Sequence, residues 1–442
     1  MNNIHKLYEI TSKLEEWVIL VYAVAVYLPI TYSWIVLIAG MVVFVARVGL
    51  ELAGVGSETS NRQAFLSCPS VIAVRQAPLS IPLLVFTIVV MVTGTLNGGL
   101  REGWASVVTL RAFLLYFIAY AAFSRSVQLR QNVLSVLLSF GAVAGIWGTI
   151  QQLFHFHPFE KFQYLQASGF MGNPMAYAGQ MEVTACLALA LLLSGGFKQV
   201  IGNRLAFSVL TVCNLAGVYF ASERSAWLGI LVGVLVIACL VSLRMFGLVL
   251  LSMIPIGLIS WFTVPVVQTR IVPMLTNIQG DVGVQARFVV WQKAMEVWRE
   301  HPMFGVGLRN FPKLDIPEAA VPGESTYLVH AHNNFLHILA TMGIVGLLAF
   351  LYLELSMLWL SFKTWHSKLS SAPADLLHRA IGLGCLGGIV SLTVAGLFEY
   401  NFGTGHVRLM HWFVLAMMLV KTKTESNVGF SPGKAFEAPG GE

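Results

Sequence analysis

The sequence predicts an all-α polytopic membrane protein with about twelve transmembrane helices and one large extramembrane loop. Three observations carry that expectation. The 442 residues are 57% hydrophobic and 11% charged, with a mean hydropathy of +0.75, against roughly 45–50% apolar and about 25% charged in soluble domains. Apolar stretches recur at the length of a bilayer crossing, about 20 residues. Lys and Arg are also shared unequally between alternate loops. The formal charge of +6 follows from that loop bias, so the basic balance is no argument for nucleic acid.

Crossings are expected near residues 17–32, 34–50, 79–96, 107–123, 133–154, 174–194, 205–221, 226–243, 245–264, 333–361, 380–398 and 407–420. The first two are joined closely around Tyr32 and Ser33, and Pro29 interrupts the first, which suggests a tilted or partly re-entrant hairpin. Lys13, Glu15 and Glu16 precede that run in a signal-anchor pattern, so the N-terminus is expected to stay in the protein. With the N-terminus inside, sixteen Lys and Arg fall in cytoplasmic loops and tails, and only Arg101, Lys161 and Arg224 in the short outer loops. This asymmetry puts both termini in the cytoplasm and residues 265–331 on the periplasmic side. The chain then divides into nine helices over 1–264, the large periplasmic loop 265–331, three helices over 332–421, and a Gly-, Ser- and Pro-rich cytoplasmic tail, 422–442, expected to be disordered.

A loop as long as 265–331 is expected to be functional. Within it Val284–Glu300 is amphipathic, with Phe288, Trp291, Met295 and Trp298 on one face and Gln292, Lys293, Glu296 and Arg299 turned away. It should lie along the membrane surface. His301-Pro302 ends it, and Gly305, Gly307, Pro312, Pro317 and Pro322 make the remainder irregular. The charges of the loop cancel, so an anion site must come from particular arginines, whose planar fork suits phosphate. The five cysteines have no metal or disulfide spacing and read as core filler.

Arg224 lies in Ala221-Ser-Glu-Arg-Ser-Ala-Trp227, a short turn between apolar helices, where a charge is either functional or paired with its neighbour Glu223. Arg287 stands at the start of the amphipathic helix, as a snorkelling lipid contact or an anion ligand. Arg111, Arg408, Glu182, Glu354 and Glu399, within or near spans, read as buried ion pairs holding helices together. The richest stretch is His330-Ala-His332-Asn-Asn-Phe-Leu-His337. His332 and His337 are about 140° apart around a helix, and no nearby carboxylate or Cys completes a metal set. Each histidine is therefore a helix-end hydrogen-bonding group or a general base at the membrane boundary. No Walker loop, dinucleotide loop, Gly-x-Ser-x-Gly elbow or Asp-x-Asp is present. Whatever chemistry occurs must draw its energy from the substrate.

Four stretches, in order, carry a family resemblance: Gly172-Asn173-Pro174; Ser222-Glu-Arg224-Ser-Ala-Trp227; Arg287-Phe-Val-Val-Trp291 followed by His301-Pro-Met-Phe-Gly305-Val-Gly307-Leu-Arg-Asn-Phe311; and His332-Asn333, nine residues, then Gly343-Ile-Val-Gly346. Together they resemble the O-antigen ligase and polymerase superfamily, most closely an O-antigen ligase. The resemblance implies a glycosyltransferase of the bacterial inner membrane, working on the periplasmic face without metal or cofactor. Its donor would be an undecaprenyl-pyrophosphate-linked glycan and its acceptor lipid A–core. Arg224 and Arg287 would bind the donor pyrophosphate, with Arg270 as a third phosphate ligand, and His332 would support attack by the acceptor hydroxyl. Glu223 departs from the small or polar residue of that motif, and His330 is a rival to His332. The alternatives are a polymerase joining lipid-linked repeat units and, outside the class, a secondary transporter, whose site would lie near the bilayer midplane.

Overall fold

The structure, a computed structural model, describes residues 2–54, 68–156, 166–263, 265–277, 280–314, 316, 329–367 and 373–418. Among these the regular elements are helical. They are α1 (Asn2–Ala25), α2 (Ile30–Gly54), α3 (Pro69–Gln76), α4 (Ser80–Val108), α5 (Phe113–Arg125), α6 (Val127–Phe154), α7 (Pro174–Ser194) and α8 (Arg204–Phe220). There follow α9 (Arg224–Val241), α10 (Leu243–Thr263), α11 (Pro265–Thr276), α12 (Val282–Glu300), α13 (Asn334–Trp365), α14 (Pro373–Ala395) and α15 (Gly405–Leu415). The tail 422–442 lies outside the described residues.

Each of the twelve expected crossings coincides with a helix. Eight are long and apolar enough to span a membrane, namely α2, α4, α6, α7, α9, α10, α13 and α14, while α5 and α8 are shorter apolar helices. α1 carries charges through its first half and α15 has 11 residues. Pro29 does not interrupt a span, because α1 stops at Ala25 and Pro29 directly precedes α2, where its fixed φ suits a helix start. Of the expected loop, residues 265–276 are also helical, as α11.

α7 and α14 form the centre, with 89% and 78% of their apolar windows buried. Helices apolar all round belong in a core. Small residues bring backbones together there: a Cβ on Gly233 of α9 would stand 2.7 Å from the Gly387 carbonyl of α14, and one on Gly384 would stand 2.8 Å from Leu187 Cα of α7. Such close approach is how helices associate where lipid competes for apolar contact. The Gly172-Asn-Pro stretch starts α7: Gly172 has φ 69°, Asn173 accepts from Ala176 N at 2.9 Å, and Pro174 takes the first turn.

α12 docks on α13 by its small aliphatic face, Ala286, Val290, Ala294 and Val297, in a cluster with Phe311, Ala331 and Ala340. Of the aromatic face expected on the membrane, Phe288 is exposed, whereas Trp291 is half-buried and packs against this cluster. Arg309 reaches Glu102 at the end of α4 at 3.3 Å, a second tie between loop and bundle.

One junction fixes this loop. α13 breaks at Gly343, whose φ is 65°, and residues 302–307 lie in the break. Val306 N donates to Ala340 O (3.2 Å), Gly307 N to Thr341 O (2.7 Å), Ile344 N to Pro302 O (2.9 Å) and Val345 N to Met303 O (3.3 Å). Backbone groups freed at membrane depth require partners of this kind. The fit leaves no room for side chains: a Cβ on Gly343 would stand 2.3 Å from the Met303 carbonyl, and one on Gly305 (φ 59°) 2.3 Å from Thr341 C. Gly305→Ala and Gly343→Ala are therefore expected to lower the melting temperature of the purified protein by several degrees, left-handed strain alone costing on the order of 1–3 kcal/mol. Gly247→Ala and Gly257→Ala, whose Cβ atoms would meet nothing within 4 Å, should melt like wild type. Equal melting of all four variants would disprove the junction.

Candidate active site

The turn between α14 and α15, residues 396–402, is the hub of the site. Asn333 caps α13 by accepting from Leu336 N at 2.9 Å, while its amide donates to Leu397 O at 2.9 Å. Asn334 N donates to Gly396 O, its Nδ2 to Asn401 Oδ1 (2.7 Å), and its Oδ1 accepts from Phe402 N (3.1 Å). The two asparagines thereby set Glu399, in the middle of the turn, beside His332.

His332 lies two residues before α13, not in its first turn, and is held at φ 44°. Such conformations cluster at functional sites. Its Nδ1 is 3.1 Å from Glu399 Oε2, and both side chains are buried. The same oxygen lies 3.9 Å from Arg287 Nη2, and Glu399 Oε1 accepts from Tyr400 N at 2.9 Å. Burial alone would raise the Glu399 carboxyl, but the His332 hydrogen bond, with the fields of His332, His330 and Arg287, holds it down to about 2. An ionised Glu399 requires the proton of His332 on Nδ1, which makes Nε2 the basic nitrogen.

The other histidines have different work. His330 Nδ1 accepts from His332 N, and His337 Nδ1 accepts from Ala331 N, each at 3.4 Å. Both brace the backbone around His332. Burial, then His332 and Arg287, push His330 down to about 4 against the pull of Glu399.

Arg287 donates Nε to Phe398 O and Nη1 to Gly283 O, both at 2.9 Å. One turn along the same helix, Trp291 Nε1 donates to Ala331 O at 2.9 Å, so a single face of α12 holds both the turn and the histidine segment. Arg224 opens α9, after Ser222 at φ 57°, and its turn is braced by Trp227 Nε1 on Tyr219 O at 2.9 Å. Arg224 forms a two-pronged pair with Asp281, at 2.5 and 3.2 Å. Asp281 also caps α12, accepting from Val284 N at 3.0 Å. The Arg224 bond is the main reason its carboxyl lies below the usual range. The two arginines converge at Gly283, where an added Cβ would stand 3.4 Å from Arg287 Nη1 and 3.5 Å from Arg224 Nη2. Two guanidinium groups meet there, and the anion they face in this structure is the Asp281 carboxylate, whose Oδ1 stands 3.4 Å from the same point.

Residues 209–351 match the family model described as O-antigen ligase. Over that stretch the chain is similar to O-antigen ligases. No curated protein matches the chain. The matched O-antigen ligase segment runs from α8 to the first half of α13 and contains Arg224, Arg270, Arg287 and His332. The structure brings Arg224, Arg287 and His332 to one end of the bundle. Arg270 is on α11, and its side chain lies outside the described residues.

Glu399 stands beyond the matched segment and was expected to pair with a cation merely to hold helices together. Among the described residues its companions have neutral partners instead: Glu182 accepts from Ser391 Oγ (2.6 Å), Glu354 from Thr393 Oγ1 (3.2 Å), Arg408 donates to Thr109 O (2.8 Å), and Arg111 stacks over Trp34. The missing carboxylate of the histidine cluster is also Glu399. His330, His332 and Glu399 offer ligand atoms within 4.8 Å of one another, a spacing a metal ion could bridge. A cation there would meet the Arg287 guanidinium, 3.9 Å from the shared oxygen, which favours the hydrogen-bonded histidine–carboxylate pair over a metal centre.

Acid should act on this cluster in two stages. His330 binds its proton at about 4 in the fold and near 6.5 when unfolded. Its contribution to stability is complete above about 6.5 and is lost as pH falls towards 4. Glu399, at about 2 in the fold, contributes fully above its ordinary value near 4.3 and loses that contribution only below it. In pH-dependent melting, His330→Gln should reduce the loss of stability between pH 6.5 and 4.5 and keep the steeper fall below. An unchanged slope in the upper window would refute the assignment.

Proposed function

We propose that this protein transfers a glycan from an undecaprenyl-pyrophosphate-linked donor to a lipid acceptor at the periplasmic face of the bacterial inner membrane, with lipid A–core as the acceptor, which is O-antigen ligation. The observation that carries the reading is the sharing of one turn by two functions: Phe398 and Glu399 hold Arg287, and Glu399 holds His332. An anion-binding group and a directed base thus stand side by side. The match to O-antigen ligases supports glycan transfer as the chemistry. The site lies at the ends of α9, α12 and α13, not among broken helices at mid-bundle, which weighs against a transporter.

In this reading the pyrophosphate of the donor lies between Arg224 and Arg287, with Arg270 as a third ligand. It takes from Asp281 part of the Arg224 fork that the carboxylate now occupies. The acceptor hydroxyl gives its proton to His332 Nε2 as its oxygen bonds to the anomeric carbon. The bond from that carbon to the phosphate oxygen breaks, and the polyprenyl pyrophosphate leaves with the electron pair. Fixed guanidinium groups stabilise the charge that develops on the leaving group, and Glu399 stabilises the imidazolium. These residues do the work assigned to them without a metal.

The test is transfer by protein in liposomes oriented with its termini inside, given donor and either lipid A–core or a second lipid-linked repeat unit. Turnover is expected with donor outside and lipid A–core as acceptor; elongation of the repeat unit instead would make the protein a polymerase. Arg224→Lys and Arg287→Lys should each cost ten- to a hundredfold, since losing one charge-assisted contact is worth about 1.5–3 kcal/mol. His332→Ala should cost about 10²–10⁴-fold with donor binding retained, His330→Ala far less, and a chelator nothing. Wild-type turnover by both Lys variants, or loss of turnover on chelation, would overturn the mechanism.

A further inference from the structure

A second set of hydrogen-bond donors stands beside this site and outside the cradle of Arg224 and Arg287. α15 begins at Gly405 behind Thr404, whose side chain caps none of its N–H groups, and no acidic residue stands in its first turn. Arg408 stands there instead. A cation at that end opposes the helix dipole, whereas an anion is favoured by it. Arg408 Nη1 donates to Thr109 O at 2.8 Å, and Arg111 Nη1 approaches the adjacent carbonyl, Val108 O, at 3.4 Å. The Arg111 guanidinium also lies over Trp34, 4.2 Å from the ring centre. The described partners of both guanidinium groups are thus carbonyls and a ring, not carboxylates.

Among the described residues, two donors in this region have no acceptor. Arg408 Nε and the indole N–H of Trp412, one turn further along α15, are buried without a hydrogen-bond partner, and Trp412 is wholly buried. Buried donors left unsatisfied each cost about 1–3 kcal/mol, so their persistence side by side calls for an occupant. Both residues line a small cavity of about 30 Å³ whose wall also includes Phe350, Phe402, Asn334 and Asn401. The two asparagines are those that pin the turn of Glu399. The cavity therefore borders the turn that carries the Glu399 carboxylate. Glu354 lines it as well, its carboxylate engaged by Thr393.

The geometry points to a phosphate site for the lipid acceptor, formed by Arg111, Arg408 and the first N–H groups of α15. This inference rests on the transfer reading above and names the place where that reaction's second substrate is held. The donor cradle and the acceptor site are then separate, and the turn 396–402 lies between them. An acceptor anchored by its phosphate would bring its sugar hydroxyl to His332 without competing for Arg224 or Arg287.

The experiment measures binding without donor, so that its failure and the failure of the transfer reading can be told apart. Wild-type protein in phosphatidylcholine nanodiscs is titrated with a phosphorylated lipid A–core glycolipid and with its dephosphorylated counterpart. The expected result is tighter binding of the phosphorylated form. Arg111→Ala, an exposed position, and Arg408→Lys, which keeps a donor towards Thr109 O, should each weaken that binding about tenfold. Neither should alter binding of the dephosphorylated glycolipid or of a polyprenyl pyrophosphate. Equal wild-type affinity for the two glycolipids would overturn the proposal, as would undiminished binding by both variants. Displacement of the glycolipid by phosphatidylglycerol at equal mole fraction would show a general phospholipid site and overturn it as well.

Discussion

The architecture depends on the splice of residues 302–307 into the broken helix α13. A break at membrane depth strands carbonyl and amide groups, each costly if left without a partner. Here the segment 302–307, between α12 and α13, supplies the partners through four backbone hydrogen bonds around Gly343. The segment follows α12 directly, so closing the break also sets α12 on α13.

From that constraint the site follows in short steps. α12 presents Arg287 and Trp291 on one face, and these reach the turn 396–402 and the histidine segment. Asn333 and Asn334 hold the same turn from the head of α13. Glu399 ends with His332 on one oxygen and Tyr400 N on the other. A buried carboxylate satisfied in this way stays ionised, and an ionised carboxylate fixes the tautomer of the histidine it accepts from. Orientation of His332 and placement of Arg287 are thus one structural event.

Much of this was legible in the sequence, and the reasons the rest was not are specific. Arg224, Arg287 and His332 stood out because each sits in a short patterned stretch, and the structure brings these stretches to one end of the bundle. Glu399 could not be seen to join them: it lies 67 residues from His332, outside the matched segment, and a lone carboxylate near a span reads as a structural ion pair. Asp281 was hidden in a loop whose charges cancel. The docked face of α12 did not stand out because large aromatic residues dominate an amphipathic pattern, whereas close helix packing selects small ones such as Ala286 and Ala294. Gly343 and Gly305 were marked as motif residues, but only coordinates show that each is glycine because the other's segment lies against it.

The central claim is that the donor's pyrophosphate lies between Arg224 and Arg287, one residue's reach from the His332–Glu399 pair. Determining the structure in a lipid nanodisc with a polyprenyl pyrophosphate whose sugar is joined through a non-cleavable carbon tests it most directly. The account predicts phosphate density against both guanidinium groups near Gly283, Asp281 partly released from Arg224, and the anomeric carbon facing His332 Nε2. Phosphate density away from both arginines, with the Arg224–Asp281 pair intact, would contradict it.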